Sequence, residues 1–172
     1  MIEQKRPESY SADDIKAALR LRHPPEAWLY AEEVAYYTTS STPRYLRRAR
    51  RWWRIIDAFA MSLWPSKKFE RVAYEIKVNR ADFLREIRDP DKRQFAMAFS
   101  NRFYFVMPDG VADKREIPDE CGLMIVKEGR ARIYKRAPWR EIEPWPPGFV
   151  ASFGRRVYRQ ALAVARGNGD DD

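Results

Sequence analysis

Val72-Ala73-Tyr74-Glu75-Ile76-Lys77-Val78 reads as a strand whose two faces differ in kind. Side chains alternate across a strand, so Val72, Tyr74, Ile76 and Val78 share one face, and Ala73, Glu75 and Lys77 share the other. A carboxylate and an ammonium on one face of an otherwise apolar strand are costly to bury without a purpose. The run before it, Ile55 to Leu63, is also of strand length and rich in β-branched and aromatic residues. Asp57 is the only charge between Ile55 and Trp64. Pro65-Ser66-Lys67-Lys68 supplies a turn, and the hairpin it makes sets Asp57 beside Glu75. Two adjacent carboxylates repel unless a cation lies between them.

Outward from this hairpin the chain alternates helix and strand signals. Ser11 to Arg22 reads as a helix with Ser11 as N-cap, Asp13 and Asp14 in the first turn, and a stop at His23-Pro24-Pro25. A short segment, Glu26 to Tyr37, ends in a polar loop from Thr38 to Pro43. Ala81 to Asn101 carries helix signals broken at Asp89-Pro90, with Pro90 opening a second helix. Phe103 to Val106 is a third strong strand, and Leu123 to Val126 and Ala131 to Tyr134 are weaker ones joined by Glu128-Gly129. Four prolines between 138 and 147 mark a linker, and Val150, Phe153, Val157, Ala161 and Ala165 form the stripe of a last helix. The expectation is an α/β (α+β) domain over residues 1–137, a Pro/Trp-rich linker over 138–148, and a C-terminal helix with an acidic tail over 149–172.

Composition narrows the chemistry. The 172 residues include 33 Lys and Arg against 25 Asp and Glu, a net charge of +8, which suits a polyanionic partner. One cysteine, Cys121, excludes an internal disulfide and multi-cysteine zinc modules. One histidine, His23, excludes histidine-pair hydrolase and RNase-type sites. Catalysis, if present, runs on carboxylates, lysine and a hard metal ion; with oxygen ligands only, Mg²⁺ or Mn²⁺ is expected. No apolar stretch approaches the ~20 residues of a membrane span, and the first residues carry no apolar run of signal-peptide type, so the expected location is cytoplasmic.

Arg44, Arg47, Arg48, Arg50, Arg51 and Arg54 cluster around Trp52 and Trp53 just before the strand that carries Asp57. The arginines suit phosphate contacts, and the tryptophans suit base stacking or anchoring of the loop. A solvated surface loop is the plain alternative. Lys92, on the helix after the Glu-x-Lys strand, is a further nucleic-acid-binding candidate or a solvent-facing residue.

Asp57 followed by Glu75-Ile76-Lys77 resembles the PD-(D/E)XK nuclease signature. Arg54 to Met61, Leu63-Trp64-Pro65-Ser66, Tyr74 to Val78, Arg80 to Glu86, Asp89-Pro90-Asp91-Lys92, Arg102 to Val106 and Gly122-Leu123 are similar to the MmcB-like group of bacterial and phage DNA-repair nucleases, over roughly Glu33 to Tyr134. The resemblance implies a restriction-endonuclease-like core with a central mixed sheet flanked by helices, and metal-dependent cleavage of DNA. It implies that Asp57, Glu75 and the backbone carbonyl of Ile76 hold the metal, that Lys77 is the catalytic lysine, and that an upstream acid completes the site. Glu33 is the best match for that acid, with Glu32 beside it as the alternative. The proline of the signature is absent, since Ile56 precedes Asp57. On spacing alone, an edge-strand salt bridge is the favoured reading of Glu75 and Lys77, and it is the strand context and the extended resemblance that reverse this. A non-catalytic nucleic-acid-binding module with the same fold is the alternative function, and an adaptor with a basic face a third; the oligomeric state, a homodimer included, is open.

Overall fold

A computed structural model describes residues 10–37 and 53–167. The helix expected at the start is α1 (Ala12–Arg22), closed by a capping box in which Asp14 N–H donates to Ser11 Oγ at 3.2 Å and Ser11 N–H donates to Asp14 Oδ2 at 2.8 Å. β1 (Trp28–Tyr37) and β2 (Trp53–Ser62) form an antiparallel pair. A 3₁₀ turn at Pro65–Lys67 leads into β3 (Arg71–Ile76), antiparallel to β2. Then follow α2 (Arg80–Arg88) and α3 (Pro90–Met97), β4 (Arg102–Pro108), β5 (Gly122–Lys127) and β6 (Arg130–Lys135). Asn79 caps α2 by accepting from Asp82 N–H, and Pro90 opens α3 where its missing N–H costs nothing.

The strands lie in chain order in one six-stranded sheet. β3, β4 and β5 are parallel and the outer pairs antiparallel, so the sheet is mixed and flanked by helices, as expected. Each face has its own core. Ile15, Ala18 and Leu19 of α1 cover Ala58, Val72, Tyr74, Tyr104, Val106 and Met124. Phe83, Phe95, Phe99, Phe149 and Phe153 cover Ala31, Phe59, Ala73, Phe103, Phe105 and Leu123 on the other face. The alternation read from Val72 to Val78 is therefore realised: Val72, Tyr74, Ile76 and Val78 face α1, and Ala73 faces the phenylalanine-rich side. Gly122 is required by a close approach, since a Cβ there would fall 2.4 Å from the Tyr104 ring and 2.6 Å from the Ala137 nitrogen.

The last helix, α4 (Pro147–Gly167), starts two residues before the expected 149 because Phe149 N–H and Val150 N–H both donate to Pro146 C=O. Its buried stripe keeps Phe153 and Val157 from the expected set and takes Phe149 in place of Val150. Phe149 and Phe153 are buried and Val157 packs against the core, while Val150 is 50% exposed and Ala161 and Ala165 are exposed. Aromatic volume decides the helix's rotation: Phe149 stacks on Phe99 at 4.1 Å, which a valine at 150 cannot match. Trp145 holds the preceding segment in place, donating from Nε1 to Phe99 C=O at 2.9 Å and packing on Phe59, Phe149 and Phe153. Among the described residues, no helix is long and apolar enough to cross a membrane.

Candidate functional site

The cross-strand registers place Glu33, Asp57 and Glu75 in one row. Glu32 pairs with Ala58 and Val34 with Ile56, which sets Glu33 opposite Asp57. Ala58 pairs with Tyr74, so Asp57 and Glu75 follow one step further on. The regular β2–β3 pairing ends there, and the Asp57 side chain takes over: its Oδ2 accepts from Ile76 N–H at 2.8 Å. Lys77 N–H donates instead to Val106 C=O at 3.0 Å, so β3 stays bound to β4 where it has parted from β2. The parting opens a cleft of about 550 Å³ between α1 and α2, lined by Glu33, Asp57, Glu75, Ile76 and Lys77 among others.

A second irregularity aims side chains at this row. In β1, Leu29 and Ala31 and then Val34 and Tyr36 face the phenylalanine-rich core, a phase change of one residue. β2 makes the same change between Ile56 and Phe59. Glu33 sits at the change in β1 with φ +51°, a left-handed conformation that a non-glycine residue adopts at a cost of roughly 1–3 kcal/mol. Such a change re-aims a side chain that strict alternation would send to the other face.

Lys77 is the centre of the buried chemistry. It is 9% exposed and donates to Glu75 Oε1 at 2.7 Å and to Glu86 Oε2 at 3.1 Å. Glu75 and Glu86 are 3% and 6% exposed. Glu86 comes from α2 and has no place in the Asp…Glu-x-Lys pattern. Its signal lies in helix periodicity instead: Phe83, Glu86 and Ile87 share the face turned to the core, an acid where an apolar residue is expected. The edge-strand salt bridge is therefore too plain a description, because the pair lies inside the sheet and involves a third charge.

Glu33 lines the cleft and is held by two cations, accepting from Lys16 Nζ and from Arg156 Nη2, each at 2.9 Å. The hydrogen bond from Lys16 holds its carboxyl below the ordinary value, and Glu33 in turn raises the Lys16 ammonium. Glu32 does not line the cleft; it pairs with Arg20 of α1 at 3.3 Å. Asp82, also on the cleft wall, pairs with Arg85.

Of the basic candidates, Arg44, Arg47, Arg48, Arg50, Arg51 and Trp52 lie outside the described residues. Trp53 begins β2 and Arg54 follows it, half-buried and paired in register with Tyr36. A buried Nε without a hydrogen-bond partner among the described residues makes Arg54 a poorer match to a loop cation than its sequence neighbours suggested. Lys92 lies in α3, its side chain outside the described part.

The cleft wall carries Glu33, Asp57, Glu75, Asp82, Glu86 and Asp89 against Lys16, Lys77 and Arg85, a surplus of three negative charges. A bare phosphodiester is repelled by such a wall, and a hard cation is attracted. Asp57, Glu75 and the Ile76 carbonyl are an oxygen-only donor set, which fits Mg²⁺ or Mn²⁺. Among the described residues, no group of three or more His, Cys, Asp or Glu side chains is arranged to hold a metal by itself. The candidate set thus rests on two carboxylates and a peptide carbonyl.

No family model and no curated protein matches the chain. Among solved structures it is similar to SPO1766, a protein of unknown function from Silicibacter pomeroyi, with 17% identity, a TM-score of 0.56, and coverage of 97% of this chain and 94% of that one. The likeness at that identity is one of fold.

Proposed function

We propose that this chain is a divalent-metal-dependent DNA endonuclease of PD-(D/E)XK type, with a restriction-endonuclease-like core, acting in the cytoplasm in DNA repair or phage DNA processing. The observation that carries the reading is Lys77: a nearly buried ammonium beside Glu75, one strand position from Asp57's hydrogen bond to Ile76, in a cleft with surplus negative charge. Asp57, Glu75 and the Ile76 carbonyl would hold Mg²⁺ or Mn²⁺, and the bound ion supplies charge neutralisation at the phosphate and a more acidic water.

The protein's own groups have separable tasks. Lys77 Nζ donates hydrogen bonds and carries positive charge where the phosphate gains negative charge as water attacks phosphorus. Water adds to phosphorus, the bond to one ester oxygen breaks, and that oxygen leaves as an alcohol after taking up a proton. Glu86 holds Lys77 from the helix side, so that the ammonium keeps its place when Glu75 turns to a cation. Glu33, tied to Lys16 and Arg156, sets the outer wall. Arg44, Arg47, Arg48, Arg50, Arg51, Arg54, Trp52, Trp53 and Lys92 are the proposed contacts to DNA, and their contribution falls steeply with salt.

One observation favours the second reading, a nucleic-acid-binding module without turnover. Lys77 engages both Glu75 and Glu86, so the lysine is already held by protein carboxylates without any metal. Cleavage of circular single-stranded and supercoiled duplex DNA in Mg²⁺, Mn²⁺ or EDTA separates the two. Asp57→Asn is the key variant, because an amide oxygen still accepts from Ile76 N–H while the charge is gone. Metal-dependent cutting lost in folded Asp57→Asn and in Lys77→Ala supports the nuclease. Cutting that survives both variants sinks the site assignment, and salt-sensitive binding with no cutting in either metal moves the reading to the binding module.

A further inference from the structure

A second cavity, of about 370 Å³, lies on the α1 side of the sheet at the far end of β3 from the cleft. The two are linked by α1: Ala12 and Lys16 near its start line the cleft, and Arg22 and His23 at its end line the cavity. At 1.5 Å per residue, the six steps from Lys16 to Arg22 set the two linings roughly 9 Å apart along α1. The two differ in sign. Arg22, Lys67, Arg102 and Arg136 face Glu70 alone in the cavity, a surplus of three positive charges. The negative end of the α1 dipole subtracts only about half a charge from this.

Arg102 is paired with Glu70, and Arg22, Lys67 and Arg136 have no carboxylate within ion-pair distance among the described residues. Arg22 Nη1 donates to Ala131 C=O at 3.3 Å, and Arg102 Nη1 donates to Ala137 C=O. Both acceptors are neutral carbonyls, which fix the guanidiniums and leave the charge of Arg22 intact. Lys67 rests over the Trp28 ring at 5.2 Å, with no carboxylate at ion-pair distance among the described residues. Glu70 is bound by Arg102 Nε at 2.7 Å, so the lone acid is already taken. Arg136 is exposed and has no carboxylate within ion-pair distance among the described residues.

His23 senses this field. Its Nδ1–H donates to Leu19 C=O at 2.8 Å, and its Nε2 lies 2.9 Å from Tyr74 Oη, whose O–H donates to it when the imidazole is neutral. Burial first, and then the charges of Arg22 and Lys67, push its pKa down to about 4.

We propose that this cavity is a binding site for a phosphomonoester, its phosphate held by Arg22, Lys67, Arg102 and Arg136 and its organic part set against Met124 and Ile133 on the cavity wall. A dianion matches the surplus charge, and guanidinium forks suit phosphate oxygens. The volume is at the small end for an organic ligand, enough for a mononucleotide-sized molecule and more than inorganic phosphate fills. A free mononucleotide and the phosphorylated end of a nucleic-acid strand present the same group. The site does not depend on the nuclease reading.

The single histidine makes the test direct. The imidazole proton resonances of His23 are followed by NMR while thymidine monophosphate, inorganic phosphate, or a short oligonucleotide with and without a 5′-phosphate is added to the full chain. Saturable movement of the His23 signal with thymidine monophosphate or the phosphorylated oligonucleotide is expected, weakened roughly tenfold in Lys67→Ala and in Arg136→Ala. Both substitutions are at exposed positions, so the fold survives them. Binding of the mononucleotide places the source in solution; binding of the phosphorylated oligonucleotide alone places it at a strand end. Equal response to the unphosphorylated oligonucleotide, no saturable response to any probe, or affinity unchanged by both substitutions overturns the proposal.

Discussion

Replacing Lys77 by methionine removes an ammonium and leaves its stem volume nearly intact, so the loss reads out charge rather than packing. The side chain is 10% exposed and its two carboxylate partners 4% and 6%, so water cannot replace the lost bonds. Removing one member of a buried ionic group costs roughly 3–5 kcal/mol, because the remaining charge stays desolvated. Here two carboxylates, each within 3.1 Å of the same nitrogen, are left facing each other. Against a total stability of roughly 5–15 kcal/mol this is a large fraction, and in thermal terms a drop on the order of 10 °C. The assay is urea denaturation of wild type and Lys77→Met from pH 5 to pH 8. In the variant the crowded carboxylates hold a proton more tightly when folded than when unfolded. The folded state then binds more protons, so stability falls as pH rises, and the deficit is largest at pH 8 and shrinks toward pH 5. Adding Glu86→Gln to Lys77→Met recovers much of the loss. A deficit below about 0.5 kcal/mol, or one flat across that pH range, would refute the account of Lys77 as the buried counter-charge of both acids.

Three other outcomes follow from the same physics. His23, depressed from 6.5 to about 4, binds a proton less readily folded than unfolded, so it contributes stability above pH 6.5 that is lost as pH falls to 4; the amount is about 3 kcal/mol, and His23→Gln flattens that limb of the pH–stability curve. Gly122→Ala forces a methyl group into the Tyr104 ring and the Ala137 backbone, and lowers stability by roughly 1–3 kcal/mol in a thermal melt. Phe149→Ala removes a fully buried ring that stacks on Phe99, costs roughly 3–5 kcal/mol, and exposes the Arg155, Arg156 and Arg159 bonds of α4 to trypsin under conditions where the wild type is resistant.

Most of the elements, and the placing of Asp57 beside Glu75, were legible in the chain alone. Two apolar runs of strand length, each with isolated charges, joined by a proline-containing turn, admit few registers, because a slip of one residue turns a whole apolar set to the wrong face. The capped α1 and the break at Asp89-Pro90 were legible for local reasons, hydrogen-bond capping and the missing proline N–H. The rotation of α4 was not: Val150 and Phe153 and then Phe149 and Phe153 both fit a helical stripe, and only the space beside Phe99 and Trp145 selects the second. Nor was Glu86, whose approach to Lys77 depends on how α2 packs against β3 and not on its distance along the chain. The phase change at Glu33 and Ile56–Phe59 likewise breaks the alternation from which strand faces are read. The positive cavity is the clearest case. Arg22, Lys67, Arg102 and Arg136 come from four separate elements and turns, and nothing in the sequence around any one of them marks it out. Periodicity and spacing report what neighbours along the chain share; charge gathered from remote segments into one cavity is decided by tertiary packing alone.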